Sequence, residues 1–250
     1  MSFKDKIVLV TGASSGIGAA TAVLFTKEGA NVIIVARNEA KLLKVQQDCA
    51  KVGNKPLIIK ADVAKDDDLR RIIKDTINKY NRLDVLVNNA GIVRIGKILD
   101  GKVTEIYDEI MNVNVRAVVQ LTALAAPYLL KTKGNIVNVS SISGITINNA
   151  EMGIYCSSKA ALTHFSKATA LELAPHGVRV NIVSPGPVYT DILDNAGITQ
   201  GFEKVGVVTA LNRISDPEEI ADLIVYLASE KAKGITGSNY VADNGMLLMK

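Results

Sequence analysis

The sequence predicts a doubly wound α/β fold, a parallel sheet of about seven strands with helices on both faces. Two observations carry this. Short β-branched apolar runs recur at residues 7–10, 32–35, 57–59, 85–87, 136–139 and 178–183, with helix-length segments between them. The runs are apolar at successive positions, as in parallel strands whose crossover helices bury both faces of the sheet. No internal repeat, low-complexity tract or Pro/Gly/Ser linker divides the chain, so residues 1–250 form one domain.

The first run leads into Thr11-Gly12-Ala13-Ser14-Ser15-Gly16-Ile17-Gly18, followed by a helical pattern carrying Ala19, Ala20 and Leu24. Glycines spaced G-x-x-x-G-x-G between strand and helix permit a tight turn and let backbone amides approach a pyrophosphate. They also aim a helix N-terminus at its charge. Gly12, Ser14, Ser15, Gly16, Ile17 and Gly18 are therefore candidate dinucleotide-binding residues.

The second strand ends Val35-Ala36-Arg37-Asn38, with no acid at the tip to bond ribose hydroxyls. Arg37 is placed to pair with a phosphate, which favours NADP(H) over NAD(H); the alternative is a solvated surface arginine. Glu39 competes as a ribose ligand, but its position suits a helix start capped by Asn38. After the third run comes Asp62-Val63, where Asp62 can cap a helix beginning near Ala64. The fourth run leads to Asn88-Asn89-Ala90-Gly91, small residues that allow close backbone approach and amides that bond neighbouring loops.

The fifth strand, 135–139, ends in Ser140-Ser141, which puts a hydroxyl at the carboxyl edge of the sheet. Tyr155 and Lys159 follow on a helical segment, where four-residue spacing sets them on one face. A free phenol titrates near a pKa of about 10, and work near neutrality asks for roughly 4 kcal/mol of assistance. A fixed cation nearby supplies it by favouring the phenolate. Residues 189–213 form the longest weakly patterned stretch, a length typical of a lid or binding segment. Asp216-Pro217-Glu218-Glu219 then reads as a capped helix start.

Composition limits the functional classes. The chain has 250 residues, 48% hydrophobic and 22% charged, with a net charge of +4. The charges are interleaved, without the basic run or aromatic-studded basic face that suits nucleic acid. Cys49 and Cys156 make neither a disulfide framework nor a metal-ligand spacing, which fits reduced thiols in the cytoplasm. No secretion signal is evident, and no stretch approaches the roughly 20 apolar residues of a membrane span. His164 and His176 lack the partners for a metal site or a hydrolytic triad.

Taken in order, Thr11-Gly12-x-x-x-Gly16-x-Gly18, Asn88-Asn89-Ala90-Gly91, Ser141, Tyr155-x-x-x-Lys159 and Pro185-Gly186 resemble the short-chain dehydrogenases/reductases over essentially the whole chain. The resemblance implies a Rossmann-type fold and hydride transfer between a nicotinamide cofactor and a carbonyl or alcohol. It implies Tyr155 as general acid in reduction and base in oxidation, Ser141 as donor to the substrate oxygen, and Lys159 as a ligand of the nicotinamide ribose. Asn114 resembles the asparagine that holds a relay water, with Asn112 as the competing choice. Asn89, Ala90 and Gly91 would line the adenine ribose, Asp62 and Val63 the adenine, and Pro185, Gly186, Val188 and Thr190 the carboxamide.

Two departures stand out: Asp243-Asn244-Gly245 replaces the usual Asp-Gly-Gly, and the Ser141 to Tyr155 interval is about one residue long. Val93, Ile95, Ile145, Ile147, Met152, Ile154, Ile192 and Leu193 flank the expected site. They form either a pocket for a lipophilic ketosteroid, isoprenoid or 3-oxoacyl substrate, or ordinary core and subunit contacts. The family commonly forms homotetramers through two long helices, here 105–130 and 155–173. The rival functional reading is a non-catalytic NADP(H)-binding sensor or scaffold.

Overall fold

The strands fall where the apolar runs predict, and one more appears. The computed structural model describes residues 3–147, 149–192 and 208–249. Its sheet contains β1 (Ile7–Thr11), β2 (Asn31–Ala36), β3 (Leu57–Lys60), β4 (Val85–Asn88), β5 (Asn135–Val139), β6 (Arg179–Pro185) and β7 (Asn239–Ala242). All neighbours pair in parallel, in the order β3-β2-β1-β4-β5-β6-β7. The order reverses between β1 and β4, and at such a switch point the loops leave the strands in opposite directions and open a crevice.

The helices are α1 (Gly16–Lys27), α2 (Glu39–Ala50), α3 (Asp66–Tyr80), α4 (Val103–Met111), α5 (Ala117–Thr132), α6 (Gly153–Leu173) and α7 (Pro217–Ala228). Alternate strand residues face opposite layers. Val8, Val10, Val32, Ile34, Val85 and Val87 pack with Phe25 of α1, Leu42 of α2 and Ile224 of α7. Ile7, Leu9, Ile33, Val35 and Leu86 pack with Leu69 of α3, Leu121 of α5 and Leu173 of α6. Burying these side chains on both faces supplies most of the drive to fold, at about 25 cal/mol per Å² of apolar surface.

Local signals set the helix ends. The Asn38 side chain accepts from the Lys41 N–H at 3.0 Å, as an N-cap does. Asp216 and Glu219 form a reciprocal capping box at the start of α7. Asp62 does not cap a helix near Ala64, as the sequence suggested. It accepts from the Ala64 N–H at 3.0 Å in a local turn, and α3 begins later, at Asp66.

The helix expected over 105–130 is interrupted by a π-helical turn, Asn112–Arg116, between α4 and α5. The run 103–132 is long and apolar enough to cross a membrane by length and composition alone. Here it is a layer of the fold: Arg116 pairs with Asp66 at 2.5 Å, and Asn112 donates to the Ala64 carbonyl.

Candidate functional site

A cleft of about 1250 Å³ runs along the carboxyl edge of the sheet at the switch point. Its floor is the glycine turn. Gly12 and Gly16 adopt left-handed backbone, with φ of +65° and +53°, and a Cβ on Gly12 would lie 2.8 Å from Ala90 Cα. Only glycine fits there without strain. Ser15 caps α1 by position but makes no side-chain bond to it, and Ser15, Gly16 and Ile17 at the start of the helix line the cleft.

Gly12, Ser14, Ser15, Gly16 and Ile17 line the cleft. Gly18 does not. A Cβ there would meet Gly12 O at 2.4 Å and Asn89 Nδ2 at 2.5 Å, so Gly18 lets the helix pack against the turn.

Arg37, Asp62, Val63, Asn89, Ala90 and Gly91 line the same cleft. Arg37 is exposed, while Glu39 pairs with Lys60 at 3.3 Å instead of turning toward a ribose. Asn89 donates to the carbonyls of Thr11 and Gly12 at 3.0 and 3.2 Å, tying β4 to the phosphate turn. Asn88 points inward and donates to Asn138 at 2.8 Å, the structural role expected of it. Past β6, Pro185, Gly186, Val188 and Thr190 line the opposite wall.

The Asp-Asn-Gly departure preserves its turn. Asn244 takes left-handed backbone at φ 53°, which asparagine tolerates, and its amide donates to Ser215 Oγ at 2.9 Å. The Asp243 carboxylate accepts from the N–H groups of Gly245 and Leu247.

Ser141, Tyr155 and Lys159 meet in the cleft beyond Gly91. Ser141 and Tyr155 stand together in this part of the cleft, where Ser141 acts to lower the phenol's pKa. The Lys159 ammonium lies 5.8 Å from the centre of the Tyr155 ring and donates to the Val139 carbonyl at 3.0 Å. Asn114 sits in the π-helical turn, buried, and not in the cleft lining. Its amide accepts from the Ile92 N–H at 2.8 Å and donates to the Ile92 carbonyl at 2.9 Å. A Cβ on Gly91 would lie 3.4 Å from both Asn114 Oδ1 and Lys159 Nζ, so the two polar groups flank one small volume. Asn112 turns the other way, toward Ala64 and Arg116.

Burial dominates the electrostatics of the Tyr155 and Lys159 pair. It pushes the Tyr155 phenol up to about 12, with Ser141 pulling it back. Burial also brings Lys159 down to about 8. Desolvation outweighs any help the cation gives the phenol, because the ammonium is directed at a carbonyl rather than at the phenol oxygen.

Of the apolar residues expected around a substrate, Val93, Ile95, Met152 and Ile192 line the cleft. Ile145 and Ile147 are 51% and 67% exposed and do not, and Ile154 packs in a small cluster around Ile110. Leu193 lies outside the described residues, as do 193–207 of the 189–213 loop. Ile92, Val113, Ile142, Val208 and Met246 line the cleft without having been singled out; so do Lys41 and Asp191, whose polarity gives no periodic signal. Among the described residues no group of three His, Cys, Asp or Glu is placed to hold a metal, and His164 and His176 are exposed.

Known proteins share this arrangement. The family profile described as Enoyl-(Acyl carrier protein) reductase matches residues 12–247. A 3-oxoacyl-[acyl-carrier-protein] reductase of Thermotoga maritima is 36% identical, over 99% of this chain and 100% of that protein. A meso-2,3-butanediol dehydrogenase of Serratia marcescens is 34% identical, over 98% of this chain and 96% of its own length. A short-chain dehydrogenase of Burkholderia cenocepacia, solved in complex with NADP, superposes with a TM-score of 0.90 at 32% identity, covering 99% of this chain and 100% of that one. With its glycine turn, switch-point cleft and full-length relatives, the chain belongs to the short-chain dehydrogenase/reductase family, nicotinamide-dependent oxidoreductases acting on CH–OH and C=O groups.

Proposed function

We propose that the protein is an NADP(H)-dependent carbonyl reductase, reversible to an alcohol dehydrogenase, with a lipophilic ketone or secondary alcohol as substrate. The observation that supports the reading is the meeting of Ser141, Tyr155 and Lys159 in one cleft, with the Lys159 ammonium 5.8 Å from the centre of the Tyr155 ring. The chemistry of the cleft fits a dinucleotide: the start of α1 for the pyrophosphate, a glycine cradle, and Arg37 at the tip of β2.

When bound, the nicotinamide supplies or takes the hydride. Tyr155 gives its phenolic proton to the substrate oxygen in reduction and takes one back in oxidation, while Ser141 bonds the same oxygen. Lys159 holds a proton at Nζ for the phenol, and Asn114 positions the route by which that proton is replaced. The ligand set is that of the sequence reading: Gly12, Ser14, Ser15, Gly16, Ile17, Gly18, Arg37, Asp62, Val63, Asn89, Ala90, Gly91, Tyr155, Lys159, Pro185, Gly186, Val188 and Thr190, with Gly18 serving to pack the helix against the turn.

Val93, Ile95, Met152 and Ile192 support a lipophilic substrate of the ketosteroid, isoprenoid or 3-oxoacyl class. We read residues 189–213 as the substrate-binding loop of the single catalytic domain. The buried, unbridged Cys49 and Cys156 support a cytoplasmic address. Exposed Val119 on α5 and Leu171 on α6 support a homotetramer, which light scattering tests.

NADPH and NADH oxidation at 340 nm against lipophilic ketones, aldehydes and a 3-oxoacyl thioester tests the activity. Turnover with NADPH in one chemical class is expected, with Tyr155→Phe inactive but still binding NADPH. Comparable turnover in that variant would sink the mechanism.

A further inference from the structure

We propose that Lys41 and Asp191 form a charge clasp across the cleft that the phosphate of NADP(H) opens, which makes Lys41 a second cation, beside Arg37, selecting the phosphorylated cofactor. The proposal rests on the reading of the cleft as a dinucleotide site.

Lys41 stands in the first turn of α2, three residues after the helix cap Asn38, and lines the cleft with Arg37 and Asn38. Asp191 follows Thr190 on the opposite wall, beyond β6. Although 150 residues separate them in sequence, Lys41 Nζ lies 2.5 Å from Asp191 Oδ2. The pair therefore ties the β2–α2 wall to the wall that leads into the substrate-side segment.

The position of the carboxylate is informative. Asp191 lines the cleft together with Ser15, the N-cap position of α1, and the neighbouring Thr190 side chain lies over Gly16. No acidic residue occupies the first turn of α1. Asp191 thus sets a negative charge against Lys41, the cation for which the extra phosphate of NADP(H) competes. The hydrogen bond from Lys41 holds the Asp191 carboxyl below the usual carboxylate range, as expected of an anion kept ionised by its surroundings.

The exchange is favourable on charge. A phosphate monoester carries about −1.5 to −2 near neutral pH, against one charge for the carboxylate, and offers more acceptor oxygens. Both partners are partly exposed, at 49% and 38%, so the ion pair itself is weak and its opening costs little. The lysine stem swings between the two anions, and Arg37 makes no ion pair with any described residue that would keep it from joining. NADH lacks the extra phosphate and leaves the clasp closed.

Fluorescence titration of wild type, Lys41→Met and Asp191→Asn with NADPH and with NADH tests this. Lys41→Met should weaken NADPH about tenfold, the scale of one lost charge-assisted bond, while NADH stays unchanged. Asp191→Asn should tighten NADPH and leave NADH alone. Thermal melts in the absence of cofactor should match for all three, since both residues are on the surface. Equal weakening of both dinucleotides in Lys41→Met, or no change in either, would overturn the clasp while leaving the cofactor reading intact. Wild type that binds neither dinucleotide would overturn both.

Discussion

The Asn114 amide donates to the Ser158 hydroxyl at 3.1 Å, and that hydroxyl donates in turn to the Tyr155 carbonyl at 2.7 Å. Asn114 is thereby tied to the helix that presents Tyr155 and Lys159, as well as to Ile92. The π-helical turn over Asn112–Arg116 adds the residue that turns Asn114 inward, a use of π-bulges common near functional sites. Ser158→Ala removes this one brace without adding volume. Its kcat should fall roughly fivefold, the equivalent of about 1 kcal/mol for a neutral hydrogen bond, with NADPH affinity unchanged. A structural role alone would lower the melting temperature and leave the pH profile of kcat in place; a shifted profile marks positioning.

Gly18 lies against the phosphate turn from behind. Because an added Cβ would meet the Gly12 carbonyl at 2.4 Å, Gly18→Ala must displace backbone rather than a flexible side chain. Overpacking of this kind costs about 1–3 kcal/mol, and here it also moves the turn that lines the cleft. Denaturant unfolding should show the loss, and NADPH titration should show weaker binding as well. A destabilised variant with native NADPH affinity would detach Gly18 from the cofactor site.

Six of the seven strands are legible in the sequence because strands buried on both faces carry runs of two or more successive Val, Ile or Leu residues. β7 is not: its Asn239-Tyr240-Val241-Ala242 is short and half-exposed at the sheet edge, so neither a run nor an alternation marks it. The glycine turn and the Ser141, Tyr155 and Lys159 positions are equally legible, since each depends on local spacing. The wall residues are not. Ile145 and Ile147 have the composition of a pocket but point to solvent, and Lys41 meets Asp191 only through a contact 150 residues long. The low-dielectric cost of burying Tyr155 and Lys159 is a property of packing, and no motif announces it.

Asp84 organises the opposite end of the sheet. Its carboxylate receives Arg82 through two bonds of 2.7 Å, the Ile7 N–H at 3.0 Å and Lys6 at 3.2 Å. Burial pushes its carboxyl upward, but Arg82, the Ile7 amide and Lys6 together hold it below the usual carboxylate range. Its stabilising contribution is therefore complete above the unfolded value of about 3.9 and lost as pH falls through the folded one. Asp84→Asn should lose about 1–3 kcal/mol at pH 7 in urea unfolding, with the gap to wild type closing toward pH 3. A gap independent of pH would mean that packing, not charge, sets the contribution.

Lys159 carries the opposite sign, and its consequence runs against intuition for a charge in a core. Burial lowers it from 10.5 to about 8, so at pH 7 the folded protein holds a charged ammonium that the unfolded chain would hold more cheaply. The unfolded state binds more protons between those two values, and stability rises with pH across that window. At about 1.4 kcal/mol for each pH unit, the burden at neutrality is on the order of 3 kcal/mol. Leaving the Val139 carbonyl without its donor in Lys159→Met returns about 1–3 kcal/mol of that. The variant should accordingly be inactive yet as stable as wild type or more so at pH 7. Wild type should then gain on it as pH rises from 8 to 10.5. Urea unfolding of both proteins at pH 7 and 10 decides the matter: a difference that stays constant would show that Lys159 titrates in the fold as it does in the open chain.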